Sequence, residues 1–434
     1  MPQPTQTWKN WSESVTCNPT AIHYPTTQDE IIQIVKTCHA NNHHLRVVGS
    51  GHSFTPVVKT DEVLICLDNY VGVEHIDHET QQATVLAGTK IKDLGETIFT
   101  HNLAQENLGD IDVQSIAGAI STGTHGSGIT LGNIATQVIA LSLITADGDI
   151  IECSATQNRD IFKAAQISLG VLGIISKLTL QLVPAFKLDY RWQKESLHYC
   201  LDNLDDYKAD NRNFEFFWIP HTDTVLAKFM NITDKKPKRR NLFRKFNENV
   251  LENGVLWLLS AANRMRPSMS KTISRTMATL VSSGNDVQYS HRIFATARHV
   301  KFQEMEYSIP ADYFIPALKE IQATIAGYDI QVHFPIECRF VRADDIYLSP
   351  AYGRDSAYIA VHMFKGMEYE DFFAKMEEIF IKYEGRPHWG KMHHRTAAEL
   401  SSLYPRWEDF QAARQQLDPD GFFLNDHLKQ IFLE

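Results

Sequence analysis

Three short segments crowded with small residues fall within the first 180 positions, and they constrain the fold more than any other feature of the chain. The first, Arg46-Val47-Val48-Gly49-Ser50-Gly51-His52-Ser53-Phe54, runs from an apolar strand into a loop. The second is Ser115-Ile116-Ala117-Gly118-Ala119-Ile120-Ser121-Thr122-Gly123-Thr124-His125-Gly126-Ser127-Gly128, and the third is Ser168-Leu169-Gly170-Val171-Leu172-Gly173-Ile174-Ile175. Small residues let the backbone approach a ligand, and free amides receive pyrophosphate oxygens, so the second segment is expected to wrap phosphates without a helix dipole. The third reads as a helix end, a glycine turn and a buried strand that packs on an aromatic ring. None is a dinucleotide fingerprint, which reads GxGxxG and opens into a helix; the first loop lacks the third glycine and meets Pro56. Three such clefts in one region imply one large cofactor. His52, at the mouth of the first loop, is aimed at that cofactor or is an ordinary loop histidine.

The surrounding pattern mixes helix and strand. Ile31, Ile32, Ile34 and Val35 recur at helical spacing over Asp29–Cys38, behind Thr27 as N-cap, and Leu45–Val48 is a short strand, which gives a βαβ-like opening. Strands are expected at Val63–Leu67, Ala83–Ala87, Val138–Thr145 and Ile174–Val183, with helices at Ile91–His101 and Asp160–Ser168. Asp147-Gly148 marks a tight hairpin turn inside Leu141–Ile151. With 434 residues the chain exceeds one hydrophobic core, and after Pro184 aromatic residues become frequent, so a second domain starts there.

Charge and cysteine usage exclude several classes. A formal net charge of −10 argues against nucleic acid as partner. No apolar run reaches the roughly 20 residues that span a bilayer, and MPQPTQTWKNW is not a secretory signal, so a cytoplasmic protein is expected. Lys235, Lys236, Lys238, Arg239, Arg240, Arg244 and Lys245 form a basic run before a partly apolar helix, Val250–Asn263; it is a solvated insertion or a peripheral membrane contact. Six cysteines without a CxxC pair fit reduced buried thiols, with no disulfide frame and no metal site.

The second half carries the polar candidates. In His333-Phe334-Pro335-Ile336-Glu337-Cys338-Arg339-Phe340, period-two alternation puts His333, Glu337 and Arg339 on one strand face and Ile336, Cys338 and Phe340 on the other. Taken alone, Glu337 and Arg339 read as a surface ion pair. His362, in the strand Tyr358–Phe364, contacts substrate or fills a strand face. Beyond the helix Tyr404–Leu417, the turn Asp418-Pro419-Asp420-Gly421-Phe422 is expected to pin the tail against the first domain.

Together the three small-residue segments resemble the FAD-binding domain of the vanillyl-alcohol oxidase flavoprotein superfamily, the PCMH-type fold. The GxGHS loop at Gly49–Ser53, followed by Thr124-His125-Gly126-Ser127-Gly128, is similar to the sugar-1,4-lactone oxidases (gulonolactone, galactonolactone and arabinonolactone oxidases) and the alditol oxidases. The resemblance implies an α+β, two-domain PCMH-type FAD-binding fold with an α/β substrate (cap) domain. Its parts are an FAD-binding domain over 1–185, a cap domain over 186–385, and a C-terminal segment, 386–434, packing back near the flavin. It implies a covalent 8α-histidyl FAD through His52, with no second link because no cysteine falls near Ser115. Val47, Val48, Gly49, Ser50, Gly51, Ser53, Ser115, Gly118, Thr122, Gly123, Thr124, His125 and Ile174 are then expected to line the cofactor. The same families carry an E-x-R pair at the substrate face and an H-W-G-K segment; here these are Glu337 with Arg339, and His388-Trp389-Gly390-Lys391.

Hydride removal from an alcohol carbon needs polar groups at the hydroxyl and positive charge near the reduced flavin. Lys391 is expected to hydrogen-bond the reacting hydroxyl and help its proton depart. Arg339 stabilises the developing alkoxide and the reduced flavin, and Glu337 orients Arg339 and binds a sugar hydroxyl. For Lys391 to act as the base itself, its pKa must be depressed. The resemblance makes Gly109 the gate beside the flavin, leaving room for O2 and predicting an oxidase that releases hydrogen peroxide. Asp110 stands where alditol oxidases place a serine against the polyol. Ser53-Phe54 is alditol-type, whereas Asp344–Pro350 and the C-terminus are lactone-type. The leading expectation is FAD-dependent oxidation of an aldono-1,4-lactone. The alternatives are an alditol oxidase, a lactone dehydrogenase using another acceptor, and a nicotinamide-using reductase or a flavin protein without turnover on the same fold.

Overall fold

The computed structural model describes residues 7–238, 253–295 and 300–434. The opening folds as its spacing dictates: the Thr27 side chain accepts from the Glu30 amide at 3.2 Å and starts the helix Gln28–Ala40, which buries Ile31, Val35 and Cys38. This helix connects Ala21–His23 to Leu45–Val48, and both strands pair in parallel with Val63–Cys66 between them. Five antiparallel strands form a second sheet, in the order Ile150–Ser154, Val138–Ile144, Ile174–Gln181, Gln82–Leu86, Val73–Asp77. Its hairpin turns at Gly148, whose φ of +77° lies in the left-handed region that glycine adopts freely. The six cysteines are free and buried.

A single eight-stranded antiparallel sheet dominates the other half. Its order is Gly284–Tyr289, Lys187–Ser196, Thr224–Ile232, Asn213–Ile219, Ile336–Val341, Ser356–Phe364, Phe302–Pro310, Arg386–Pro387. Alternation gives the sheet two unlike faces. On one face Ala227 lies opposite Phe216, Phe216 opposite Cys338, Cys338 opposite Ile359 and Ile359 opposite Tyr307. These side chains share a hydrophobic core with the helices Phe314–Gly327 and Glu370–Lys382. On the other face the register aligns Lys228, Glu215, Arg339 and Tyr358 in one row, and Phe217, Glu337, Ala360 and Glu306 in the next, with Glu304 opposite His362 beyond.

Water is kept from that polar face because the first half of the molecule lies on it. The Gly128 amide donates to the Phe340 carbonyl at 2.7 Å, and Asn213 Nδ2 donates to Asn107 Oδ1 at 3.0 Å. The C-terminal helices Trp407–Leu417 and Asp426–Phe432 return to the first hydrophobic core. Their connecting turn is held by Asp418, whose carboxylate accepts from the amides of Phe422 (2.7 Å) and Phe423 (2.9 Å). Asn425 then donates to the carbonyls of Pro56 and Lys59, which pins the tail to the first domain. Buried Arg46 ties the same region together, donating to the carbonyls of Val57, Leu169, Gly170 and Phe423.

Candidate active site

A cleft runs between the three small-residue segments. Val47, Val48, Gly49, Ser50, Gly51, His52, Ser53, Ser115, Gly118, Thr122 and Ile174 line it, together with Trp8, Arg46, Gln114, Leu169, Gly170 and Gly173. Among the described residues, the amides of Ser50, Gly51, His52 and Ser53 in this cleft donate to no protein acceptor. Gly49 lies so close to the second segment that a Cβ on it would meet Ser115 Oγ at 1.8 Å. A long, polar-ended cofactor with an aromatic ring fits this cradle of free amides and apolar wall. His52 stacks on Trp11 with ring centroids 5.6 Å apart. Burial, reinforced by the positive charges of Lys391 and Lys90, lowers its pKa to about 4, so the imidazole is neutral at physiological pH.

The second segment differs from its expected role. Residues Ile116–Ser121 form a short helix capped by Ser115, and the amides of Ile116, Ala117 and Gly118 are taken by Thr89, Ala87 and Ser115. Those three amides are therefore spent on local structure rather than left open for phosphate. Gly123, Thr124 and His125 lie outside the cleft lining. Thr124 Oγ1 accepts from Gln114, and His125 crosses to the charged sheet face, where its Nε2 meets Glu306 at 3.2 Å.

On that face Arg339 is ringed by carboxylates: Glu215 at 2.9 Å, Asp110 at 3.4 Å, and Glu337 in direct contact. Burial opposes its charge, but the three carboxylates prevail and hold its pKa well above the ordinary value. The pair read from alternation is thus a buried network and not a surface ion pair. His333, assigned to the same face, lies before the strand begins and is buried against Ser260 Oγ and Asn263 Nδ2, both at 2.8 Å, away from the network.

Lys391 reaches Glu304 Oε2 at 2.5 Å. Burial works against its ammonium, yet Glu304 and Glu306 outweigh it and raise the pKa, the opposite of what a lysine base requires. Glu304 in turn is raised by burial but pulled down more strongly, to about 2, by Lys391 and His362. His362 stands 3.4 Å from Glu304 Oε1. Sequence reading missed Glu215, Glu304 and Glu306, although the alternation Glu304-Met305-Glu306-Tyr307-Ser308-Ile309 carries the signal of a strand with one polar face. His125, Glu306 and His388 cluster closely enough to suggest a cation site, but the His388 Nδ1 lone pair accepts from the Gly390 amide at 3.0 Å, so the trio is a hydrogen-bonded cluster.

The cleft and the charged face meet along the segment holding Lys391. The Phe54 amide donates to the Gly390 carbonyl at 2.7 Å, Thr55 Oγ1 donates to the Trp389 carbonyl at 3.2 Å, and the Lys391 ammonium lies 5.1 Å from the centre of the Phe54 ring. Lys391 is thereby fixed beside the loop carrying His52. Gly109 borders a smaller cavity with Asp110, Glu215, Lys228 and Arg339.

Comparison with known proteins agrees with this geometry. The profile of the family described as D-arabinono-1,4-lactone oxidase matches residues 178–431, and that of an FAD binding domain matches residues 19–154. The L-gulono-1,4-lactone dehydrogenase of Mycobacterium tuberculosis is 40% identical over 424 residues, which are 98% of this chain and 98% of that protein. The L-gulonolactone oxidase of Bos taurus is 35% identical over 434 residues, again 98% of each. In fold, the cholesterol oxidase of B. sterolicum superposes with a TM-score of 0.84 at 16% identity, over 98% of this chain and 96% of that one, a PCMH-type FAD-binding architecture. The chain belongs to the D-arabinono-1,4-lactone oxidase family and is an FAD-linked oxidoreductase acting on CH–OH groups.

Proposed function

We propose that the protein oxidises an aldono-1,4-lactone of the gulono-, galactono- or arabinono- type, with O2 as electron acceptor and hydrogen peroxide as product. The observation that carries this reading is the pair of buried ion pairs Lys391–Glu304 and Arg339–Glu337, the first set beside the His52 loop by the Phe54–Gly390 hydrogen bond. FAD, when bound, supplies the hydride acceptor. The Lys391 ammonium donates a hydrogen bond to the reacting hydroxyl, and Arg339 presents a fixed positive charge where negative charge develops. Glu337 orients Arg339 and accepts from a sugar hydroxyl. His52, neutral and lining the cleft, would hold the flavin, and would anchor it covalently through a ring nitrogen.

The acceptor rests on Gly109. Relatives bear the names of both a dehydrogenase and an oxidase. A Cβ at Gly109 would meet the His125 carbonyl oxygen at 3.1 Å and Thr124 Cγ2 at 3.4 Å, so the glycine is packed tightly against the second segment, and its reading as an oxygen gate rests on the family resemblance of Asn107-Leu108-Gly109-Asp110. The test is a peroxide-coupled screen of aldonolactones and alditols beside an artificial electron acceptor. Lactone turnover with peroxide is expected; polyol turnover alone would overturn the substrate, and dye reduction without peroxide would overturn the acceptor. Yellow colour surviving acid precipitation, and lost in His52→Ala, is expected of the covalent link.

The basic run supports a second, peripheral role at anionic membranes. Lys235, Lys236 and Lys238 are described, whereas Arg239, Arg240, Arg244 and Lys245 lie outside the described residues. Next to it, the helix Asn253–Met265 exposes Trp257, Leu258 and Met265, and positions 254–285 contain no acidic residue. No helix among the described residues is long and apolar enough to cross a membrane. Co-flotation with anionic but not with neutral vesicles is the expected outcome; flotation with neither removes this role.

A further inference from the structure

A histidine that must present one ring nitrogen in a set direction is ordinarily aimed by a hydrogen bond at the other. His52 has no such bond: among the described residues, neither of its ring nitrogens has a hydrogen-bond partner. What its ring does meet is the indole of Trp11, at an interplanar angle of 21° with centroids 5.6 Å apart. Trp11 lies at the tip of a hairpin whose strands, Trp8–Lys9 and Thr16–Cys17, pair antiparallel. Buried Asn10 closes the tip: its amide donates to the Val15 carbonyl at 3.1 Å, and its side-chain oxygen accepts from the Val15 amide at 3.0 Å. The hairpin grips the His52 loop on both sides of the histidine. The Trp11 amide donates to the Gly51 carbonyl at 2.7 Å, and Asn10 Nδ2 donates to the Ser53 carbonyl at 2.9 Å. Residues around the eight-stranded sheet fix the indole in turn. Phe302, at the head of the strand carrying Glu304 and Glu306, meets it edge-on at 5.4 Å, and Glu13, two residues further along the hairpin, pairs with Lys301 at 2.5 Å and with Lys365.

We propose that Trp11 is a positioning residue for the flavin: its indole sets the plane of the His52 imidazole, and with it the direction in which a ring nitrogen faces the cofactor. The proposal rests on the reading that His52 holds the flavin and adds what aims it. A stacked ring fixes a plane without using a nitrogen, whereas a hydrogen bond would occupy one, so the stack leaves both nitrogens to the ligand. Burial, with the charges of Lys391 and Lys90, lowers the His52 pKa to about 4, and the neutral ring keeps a lone pair on one of them. Trp8, on the first strand of the hairpin, completes the arrangement. It lines the cleft and lies against Gly51, where a Cβ would meet its ring at 3.0 Å and where φ is +64°. Trp11 thus stands at the seam of the molecule, with the cofactor loop on one side and the strand of Glu304 on the other.

The test uses full-length protein made in riboflavin-starved cells and titrated with FAD, the quenching of flavin fluorescence being read in the first seconds after mixing. A ring pair of this kind is worth about two- to tenfold in an equilibrium constant, so Trp11→Leu is expected to raise the half-saturating FAD concentration by about that factor. Trp11→Phe, which restores a flat ring, should recover most of it. Glu13→Gln loosens the outer anchor without touching either ring and should match wild type. Histidine ring-proton NMR reads the stack itself: the His52 signals, assigned by their absence from His52→Gln, should lie upfield in wild type and in Trp11→Phe and move to the free-imidazole position in Trp11→Leu. The assignment is overturned by a Phe variant no better than Leu, by His52 signals that stay in place, or by a Glu13→Gln protein as defective as Trp11→Leu, which would make the hairpin a general clasp. Trp11→Met replaces a Leu variant that does not fold. His52→Gln that binds FAD like wild type overturns the reading that His52 holds the flavin; Trp11→Leu that binds like wild type while His52→Gln does not overturns only the part assigned to Trp11.

Discussion

In the first half of the molecule the cleft is lined by backbone: the amides of Ser50 to Ser53 are used by no protein acceptor, and Gly49 lets the first loop come within contact of Ser115. In the second half the ligand meets charge. Lys228, Glu215, Arg339, Glu337, Glu304 and Lys391 come from five strands or segments and are brought together by sheet register. A backbone site tolerates change in side-chain chemistry but not in size, whereas a buried charge network tolerates neither loss nor addition of a single charge. Substitutions in the two halves should therefore fail in different ways.

The largest effect is expected from Lys391→Met. It strips the counter-charge from Glu304 and Glu306, and breaking a buried pair by removing one partner costs about 3–5 kcal/mol. Urea unfolding should show that loss, with bleaching by substrate abolished and flavin retained; an unchanged midpoint would mean the network is wet. Arg46→Met comes next. It leaves four buried carbonyls without their donor, and an expected loss of about 2–3 kcal/mol should be accompanied by weaker flavin retention because Leu169 and Gly170 line the cleft.

Acid should separate the halves as well. Glu304 is depressed to about 2, so its contribution to stability is complete above the unfolded carboxylate pKa and disappears as pH falls toward 2. The melting temperature of wild type should drop between pH 5 and pH 2 more steeply than that of Glu304→Gln, as calorimetry would record. In the backbone half, Gly49→Ala puts a methyl 1.8 Å from Ser115 Oγ and should lower flavin incorporation by about tenfold, with Ser115→Gly restoring most of it. Absence of rescue would place the strain elsewhere. The smallest effect belongs to Thr27→Ala, which removes the helix cap far from both sites and should cost about 1 kcal/mol with unchanged turnover.

The two halves also differed in how readily they could be read from sequence. Loops that bind through backbone are contiguous, so Gly49–Ser53 and Ser168–Ile175 announced the cleft, and Thr27, Leu45–Val48 and Asp147-Gly148 placed the elements around it. In the second segment small residues favour both an open loop and a tightly packed short helix; the Ser115 cap decides for the helix, while Ser115, Gly118 and Thr122 still line the cleft. In the charged half, alternation separated Glu337 and Arg339 from Cys338 and Phe340, but no local pattern says that Glu215 will lie opposite Arg339, or Glu304 opposite His362. Partners that far apart in the chain become neighbours only through register. Burial then reverses the expected chemistry: Lys391, a residue considered for the base, is the one whose charge the glutamates reinforce.

Anaerobic addition of L-gulono-1,4-lactone to the flavin-loaded protein tests the account most directly, because it requires the backbone cleft and the charged face to work on one reaction. Wild type should bleach, and Lys391→Met, still yellow, should not. A wild type that stays yellow with every aldonolactone, or a Lys391→Met protein that bleaches at the wild-type rate, would contradict it.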